Sequence, residues 1–342
     1  GTTTPNWNLQ VAGARPFLTL SDTSAGTDDK HWFLSSQGGN FYIGTSTDAL
    51  NATSTYLTIN NKGYVGIGTT NPNNLLQVAD LIDFRNADWK TLIGYQAGKY
   101  DLGQYNTYIG YQSGSADNAT GKTVAADNNT AIGYQSLYSN TTGKYNSAMG
   151  SYALYSNTAG SSNSAMGKDA LYSNTTGYYN SAMGLEALYS NTSGYYNSAM
   201  GINALYANTT GSSNSAMGNY ALYYNQTGWA NTVMGVEAGY GVSNNSFTSS
   251  TLVGYRAGYG LSTGSNNILL GYQAGDNLTT GANNIIIGYD IDAPLVSSAN
   301  ILNIGNLLFG TGIDGTGTTL SSGNIGIGTT SPYAKLSVWG SG

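Results

Sequence analysis

One spacing constrains this chain more than any other feature. From Asn129 to Gly235 a single sentence of 17 residues recurs, as in NSAMGSYALYSNTAGSS and NSAMGKDALYSNTTGYY. The glycine closing each AMG or AIG falls at Gly133, Gly150, Gly167, Gly184, Gly201, Gly218 and Gly235. It continues upstream as Gly94 and Gly110, and downstream as Gly254, Gly271, Gly288 and Gly305. Three steps depart from 17: Gly94 to Gly110, Gly110 to Gly133, and Gly235 to Gly254.

A fixed short period means one small unit stacked on copies of itself. Seventeen residues are too few for a helical pair, and Gly, Asn, Thr and Ser recur every few positions, which favours turns. Between the turn clusters lie strand-sized pieces, NSAMG and xALY. The fold class is therefore all-β: a parallel β-solenoid (β-roll) of 17-residue coils over residues 94–305, each coil with two short strands and two turns. At a spacing of about 4.8 Å, a dozen coils make a rod of roughly 55–60 Å.

Reading down the columns assigns roles. The residue before the marker glycine runs Ile93, Ile109, Ile132, Met149, Met166, Met183, Met200, Met217, Met234, Val253, Leu270, Ile287, Ile304, and is never polar. It reads as an inward column in which flexible thioethers pack the core rather than bind metal. The third residue after the glycine is small, as at Ala153, Ala170 and Ala187, which suggests close approach of another backbone. The two residues after the glycine vary freely, as solvent-facing positions do. The glycine itself is expected at positive φ, where a Cβ would clash. By strand alternation Met149 and Ser147 share one face and Ala148 shares the other with Asn146. Both faces carry apolar or small residues, so the second face is expected to be covered by sister copies in a homotrimer.

The remaining segments divide around this stack. Residues 1–12, 66–78 and 326–338 share a G-T-T-x-P joint phrase (GIGTTNPNNLLQV, GIGTTSPYAKLSV). Residues 13–65 read as a small antiparallel β module, 66–93 as joint and cap, and 306–342 as a hairpin connector and joint. SADNATGKTVAADNN is expected to bulge outward as a loop. The first methionine is Met149, which points to a piece of a longer chain.

Only 8% of the residues are charged and the net charge is −6, which disfavours nucleic acid as a partner. No stretch is long and apolar enough for a membrane helix, so no direct membrane insertion is expected of this segment, and there is no cysteine.

NTAIGYQSLYSNTTG and NSAMGxxAL resemble the head repeats of trimeric autotransporter adhesins, whose signature is N-S-x-A-I-G-x-x-S. The resemblance covers roughly residues 94–305 and implies a trimeric left-handed parallel β-roll. The joint phrases resemble those of phage tail-fibre-like and bacterial surface fibre proteins. The period of 17 exceeds the adhesin-head repeat, so one turn must be longer.

No catalytic constellation emerges, and no enzyme, cofactor or metal site is expected. His31, beside Asp28 and Asp29, reads as a lone surface histidine, and no Asp recurs as calcium-binding solenoids require. Two rows stand out. Tyr138, Tyr155, Tyr172, Tyr189, Tyr206 and Tyr223 form a column that would either stack coil on coil or offer aromatic surface to a sugar; the stack is the favoured reading. Asn140, Asn157, Asn174, Asn191, Asn208 and Asn225 sit in N-x-T or similar triplets, read as an amide ladder rather than glycosylation sites. The expected function is a structural and adhesive segment of an extracellular fibre on a cell or virion surface. A phage tail-fibre segment or a carbohydrate- or receptor-binding module is the alternative, with a host-surface glycan or receptor as partner. Ice binding through the repeated Thr is weaker, because the TT pairs fall in turns.

Overall fold

The computed structural model describes residues 11–13, 16–21, 31–46, 53–73, 75–79, 82–83, 89–115, 126–242 and 244–340. These hold strands and turns only, with no helix among the described residues. Every strand pairs with the next along the chain, so the whole is one continuous ladder of backbone hydrogen bonds.

The centre of that ladder is the solenoid. Its strands are β8 (Thr91–Ile93), β9 (Thr107–Ile109), β10 (Thr130–Ile132), β11 (Ser147–Met149), β12 (Ser164–Met166), β13 (Ser181–Met183), β14 (Ser198–Met200), β15 (Ser215–Met217), β16 (Thr232–Met234), β17 (Thr251–Val253), β18 (Ile268–Leu270), β19 (Ile285–Ile287) and β20 (Leu302–Ile304). Each is parallel to its neighbours and in register: Met149 lies over Met166, and Ala148 over Ala165. The register holds across both irregular steps that enter β10 and β17. Gly305 closes the last coil, its N–H donating to Ile287 O at 2.9 Å.

Two expectations are corrected. Each coil has one strand, not two. The ALY segment is turn, because Leu154 adopts a left-handed φ of 54°. That conformation breaks strand alternation, so the consecutive residues Ala153 and Leu154 both point inward and are fully buried. A left-handed residue costs about 1–2 kcal/mol. Hydrogen bonds between coils offset this in the turns as well as the strands: Leu154 N–H donates to Ala170 O and Ser156 N–H to Tyr172 O, both at 3.0 Å.

The second correction concerns which face is inside. The methionine column is outward, with Met149, Met166, Met183, Met200 and Met217 each 44% exposed. The other face of the strand, Ala148 and its equivalents, is buried within the coil itself. The alanine flank therefore needs no sister copy. The reason is room: the coil interior holds Ala148, Ala153 and Leu154 beside the amides of Asn146 and Asn157. A row of methionines does not fit there.

The marker glycine behaves as expected. Gly150 has φ of 138°, and a Cβ on it would collide with Gly167 O in the next coil. The two positions after it are largely open to solvent; Asp169, at 8%, is an exception.

The ends change pairing. Strands β1 (Phe17–Ser21), β2 (His31–Gln37), β3 (Asn40–Ser46), β4 (Thr53–Ile59) and β5 (Val65–Ile67) form an antiparallel unit. β5 then pairs in parallel with β6 (Leu76–Val78). β7 (Ile82–Asp83) joins β6 to β8 with antiparallel pairing on both sides, covering the first coil's edge. After β20, β21 (Leu308–Gly310) turns back antiparallel to meet β22 (Ile325–Ile327), which pairs in parallel with β23 (Leu336–Val338). The two joints at β5–β6 and β22–β23 share one construction. Asn60 Nδ2 donates to Pro72 O at 3.0 Å in the first, and Asn324 Nδ2 to Pro332 O at 3.1 Å in the second. The joint phrase at residues 1–10, Asp28, Asp29 and the centre of the first insertion (116–125) lie outside the described residues.

Candidate functional site

Because the coils are in register, each sequence column becomes a physical row along the rod. Three rows are candidates for function.

The tyrosine row is brought together as one stack. Ring centroids are 5.4 Å apart for Tyr138–Tyr155, 5.2 Å for Tyr155–Tyr172, 5.1 Å for Tyr172–Tyr189 and Tyr189–Tyr206, and 5.0 Å for Tyr206–Tyr223. The planes lie within 10° of parallel. The row runs on through Tyr240 and Tyr259, two members the ALY phrase does not reveal because their coils read AGY. Each inner ring is stacked between its neighbours, and at the end of the row the Arg256 guanidinium lies over the Tyr259 ring, 5.0 Å from its centroid. Burial, reinforced by phenolate repulsion along the stack, raises the pKa of Tyr172, Tyr189 and Tyr223. Tyr240 is pushed up to about 12. More open pairs stand elsewhere: Tyr178 on Tyr195 at 5.0 Å and Tyr179 on Tyr196 at 5.1 Å.

The N-x-T asparagines form an interior ladder. Asn157 Nδ2 donates to Asn140 Oδ1 at 2.9 Å, and Asn174, Asn191 and Asn208 each donate to the previous member at 2.8 Å. Asn157, Asn174 and Asn191 are fully buried, which closes them to glycosylation in the folded chain. A second ladder, of Asn129, Asn146, Asn163 and their successors, escaped the sequence reading although an Asn opens almost every coil. Its Oδ1 atoms accept the backbone N–H of the next coil, as from Asn163 to Asn146 at 3.0 Å. Both ladders converge on one carbonyl: Gly160 O accepts from Asn146 Nδ2 and from Asn157 Nδ2, each at 2.9 Å. The first ladder breaks just ahead of the lengthened coil: Asn225 Nδ2 donates to Gly228 O, and Asn208 Oδ1 and Asn225 Oδ1 are buried with no donor.

The third row is the outward ridge from Ile93 through the methionines to Ile304. It is apolar in every coil and partly or largely exposed throughout.

Elsewhere, His31 Nδ1 sits 2.8 Å from Ser21 Oγ. A groove of about 380 Å³ lies between the 313–316 loop and the last coils, lined by Asn266, Asn283, Asn300, Ile268, Ile285 and Asp314. Its Asp314 carboxylate accepts from Ser322 N–H and Oγ–H, which hold its pKa below the usual range. Among the described residues no cluster of His, Cys, Asp or Glu could hold a metal ion, and no helix is long and apolar enough to cross a membrane. No protein-family model matches the chain, and no curated protein matches it.

Proposed function

We propose that this chain is a structural and adhesive segment of a long extracellular fibre, a stiff homotrimeric rod that spaces or presents binding modules at a bacterial surface. The observation that carries the reading is the outward apolar ridge on an unbroken in-register stack from β8 to β20. At about 4.8 Å per step, its twelve parallel pairings span roughly 58 Å. An exposed apolar strip of that length is a surface for association. In a cyclic trimer the ridges of three chains meet along the axis and leave water together. The repeat resemblance favours a surface adhesin over a tail fibre; the joint phrases fit either. Adhesion itself is placed in modules carried by the rod, because the tyrosine faces are occupied by one another.

Light scattering on the purified chain tests the reading, with a mass of three chains expected. A Met149→Glu, Met183→Glu, Met217→Glu triple variant buries three carboxylates on the axis and is expected to be monomeric. A wild-type chain that scatters as one copy at high concentration overturns the proposal.

A further inference from the structure

The first coil carries two charged groups that the rod does not need in this form, beside the ladder amide of Asn106. Lys90 occupies the column that is Asn106, Asn129 and Asn146 in the coils that follow. Asp101 occupies the column that becomes Asn140. The Lys90 and Asp101 side chains are 0% and 1% exposed, and Asn106 is fully buried. Amides at these positions build every central coil, whereas a buried ion pair carries a desolvation cost of several kcal/mol per ion.

The geometry around the pair is specific. Asp101 Oδ2 lies 3.3 Å from Lys90 Nζ and accepts from Asn106 Nδ2 at 2.8 Å. One carboxylate oxygen thus touches both an amine and an amide. Asn106 Oδ1 accepts the backbone N–H of Asn129 at 2.7 Å, which polarises the amide carbon. All three side chains are buried, so the site is closed to water.

We propose that Lys90 and Asn106 join in an intramolecular isopeptide bond, with Asp101 carrying the protons. Asp101 takes a proton from the Lys90 ammonium, leaving a neutral amine. The Nζ lone pair forms a bond to Asn106 Cγ, and the negative charge that develops on Oδ1 is held by the Asn129 N–H. Asp101 delivers its proton to Nδ2 and accepts a second from Nζ. The Cγ–Nδ2 bond breaks, ammonia departs, and it takes the last proton as ammonium. The balance is a lysine ammonium and an asparagine amide in, a secondary amide and ammonium out, with no oxidant and no cofactor. Burial raises the Asp101 carboxyl above its ordinary range against the pull of Lys90, which suits a group that must both take and return a proton.

The bond joins the residue before β8 to the residue before β9. It staples the outermost coil of the parallel stack where pairing changes to antiparallel, the place from which a solenoid would unwind. The inference stands apart from the oligomer and from any adhesive role.

Intact mass spectrometry of the full chain under denaturing conditions tests it. The expected mass is that of the sequence less one ammonia, with a branched peptide linking Lys90 to Asn106 after digestion. Lys90→Arg and Asp101→Asn are expected at full mass. The second installs the residue that central coils carry in this column, and circular dichroism checks that it folds. A wild-type chain at full mass overturns the proposal. So does ammonia loss that persists in Lys90→Arg, which would signal cyclisation of an asparagine instead. Loss of one water with a Lys90–Asp101 branch would overturn Asn106 as the acceptor, and ammonia loss that survives in Asp101→Asn would overturn the proton carrier.

Discussion

The central coils and the coils that flank them fill the same interior with different columns. In the central coils the strand contributes a small residue and the turn a large one: Ala148 with Leu154, Ala165 with Leu171, Ala182 with Leu188. In the flanking coils the pattern is exchanged. The strand carries Leu92, Tyr108, Leu252 or Leu269, and the turn carries Gly98, Gly114, Gly258 or Gly275. The exchange is steric. A Cβ on Gly98 would meet Leu92 Cδ2 at 2.8 Å, and one on Gly258 would meet Leu269 Cδ1 at 2.9 Å. Later flanking coils also replace the ladder asparagine by Leu261 and Leu278, both fully buried. The boundary coil solves the problem a third way. Val233 and Gly239 leave a space, and Phe247 from the lengthened turn enters it, its ring 3.0 Å from where a Gly239 Cβ would sit. The backbone register is thus indifferent to which column supplies the volume, provided the volume is supplied.

The marker glycine is common to both coil types, and changing it is expected to have the largest effect. A Cβ on Gly184 would run into Gly201 O, at a φ of 137° that an L-residue rarely adopts. Gly184→Ala should cost about 4 kcal/mol or more, combining backbone strain with overpacking. At the end of the stack, Gly305 has open space around the missing Cβ and a φ of 59°. Gly305→Ala should cost only about 1 kcal/mol. Urea melts of the two variants decide the matter. Equal losses would mean that the close approach of coils is not what the glycine serves.

The exchange of volume sets the second expectation. Leu188→Gly empties a fully buried site and should cost about 3–5 kcal/mol. Adding Ala182→Leu writes the flanking pattern into a central coil, and should recover at least about 1 kcal/mol of that loss. Ala182→Leu alone should destabilise by overpacking. If the double variant shows the sum of the single losses, the two columns do not share one space.

These comparisons also show what the sequence could and could not reveal. The period, the register, the number of coils and the role of the marker glycine follow from spacing alone, because parallel stacking turns a repeat directly into a row. The inside of the coil does not follow from hydrophobicity. Met149 is more apolar than Ala148, yet it lies outside because Leu154 from the turn already fills the interior of its coil. Alternation also fails in the turn, where left-handed residues at Tyr152 and Leu154 put the neighbours Ala153 and Leu154 on one side. The Asn140 row announced itself through its triplets. The Asn146 row was equally regular but lay in what looked like strand. The pairing of Lys90 with Asp101 carried no repeat signal, since Lys90 stands alone in its column.

The asparagine ladders give the next effect in size. Asn174 donates to Asn157 and to Gly177 O, and accepts from Asn191. Asn174→Leu strands these buried partners and should cost about 2–3 kcal/mol. Asn225 stands at the ladder's broken end with an unpartnered Oδ1; Asn245 lies opposite it, and the two coils beyond already use Leu261 and Leu278 at this column. Asn225→Leu should cost no more than about 1 kcal/mol. Thermal melts that rank the two variants the other way would remove the ladder as a source of central-coil stability.

The smallest expected effect concerns pH and the aromatic row that crosses from one coil type to the other. Tyr172, Tyr189, Tyr206 and Tyr223 have raised pKa values in the folded chain, chiefly through burial, and Tyr240 is raised to about 12. A tyrosine in the unfolded chain loses its proton near pH 10. Between that value and the folded values the native chain binds more protons than the unfolded one. Stability then falls as pH rises. The contribution is complete below about pH 10 and is lost as pH climbs through the folded values toward about 12. Melting temperature should therefore be flat near pH 8 and decline above about pH 10, in step with tyrosinate absorbance. Replacing Tyr206, Tyr223 and Tyr240 by Phe keeps the rings stacked and removes their ionisation, so the alkaline decline should become shallower. An unchanged slope in that variant would place the alkaline sensitivity outside this row and leave the stack with a packing role alone.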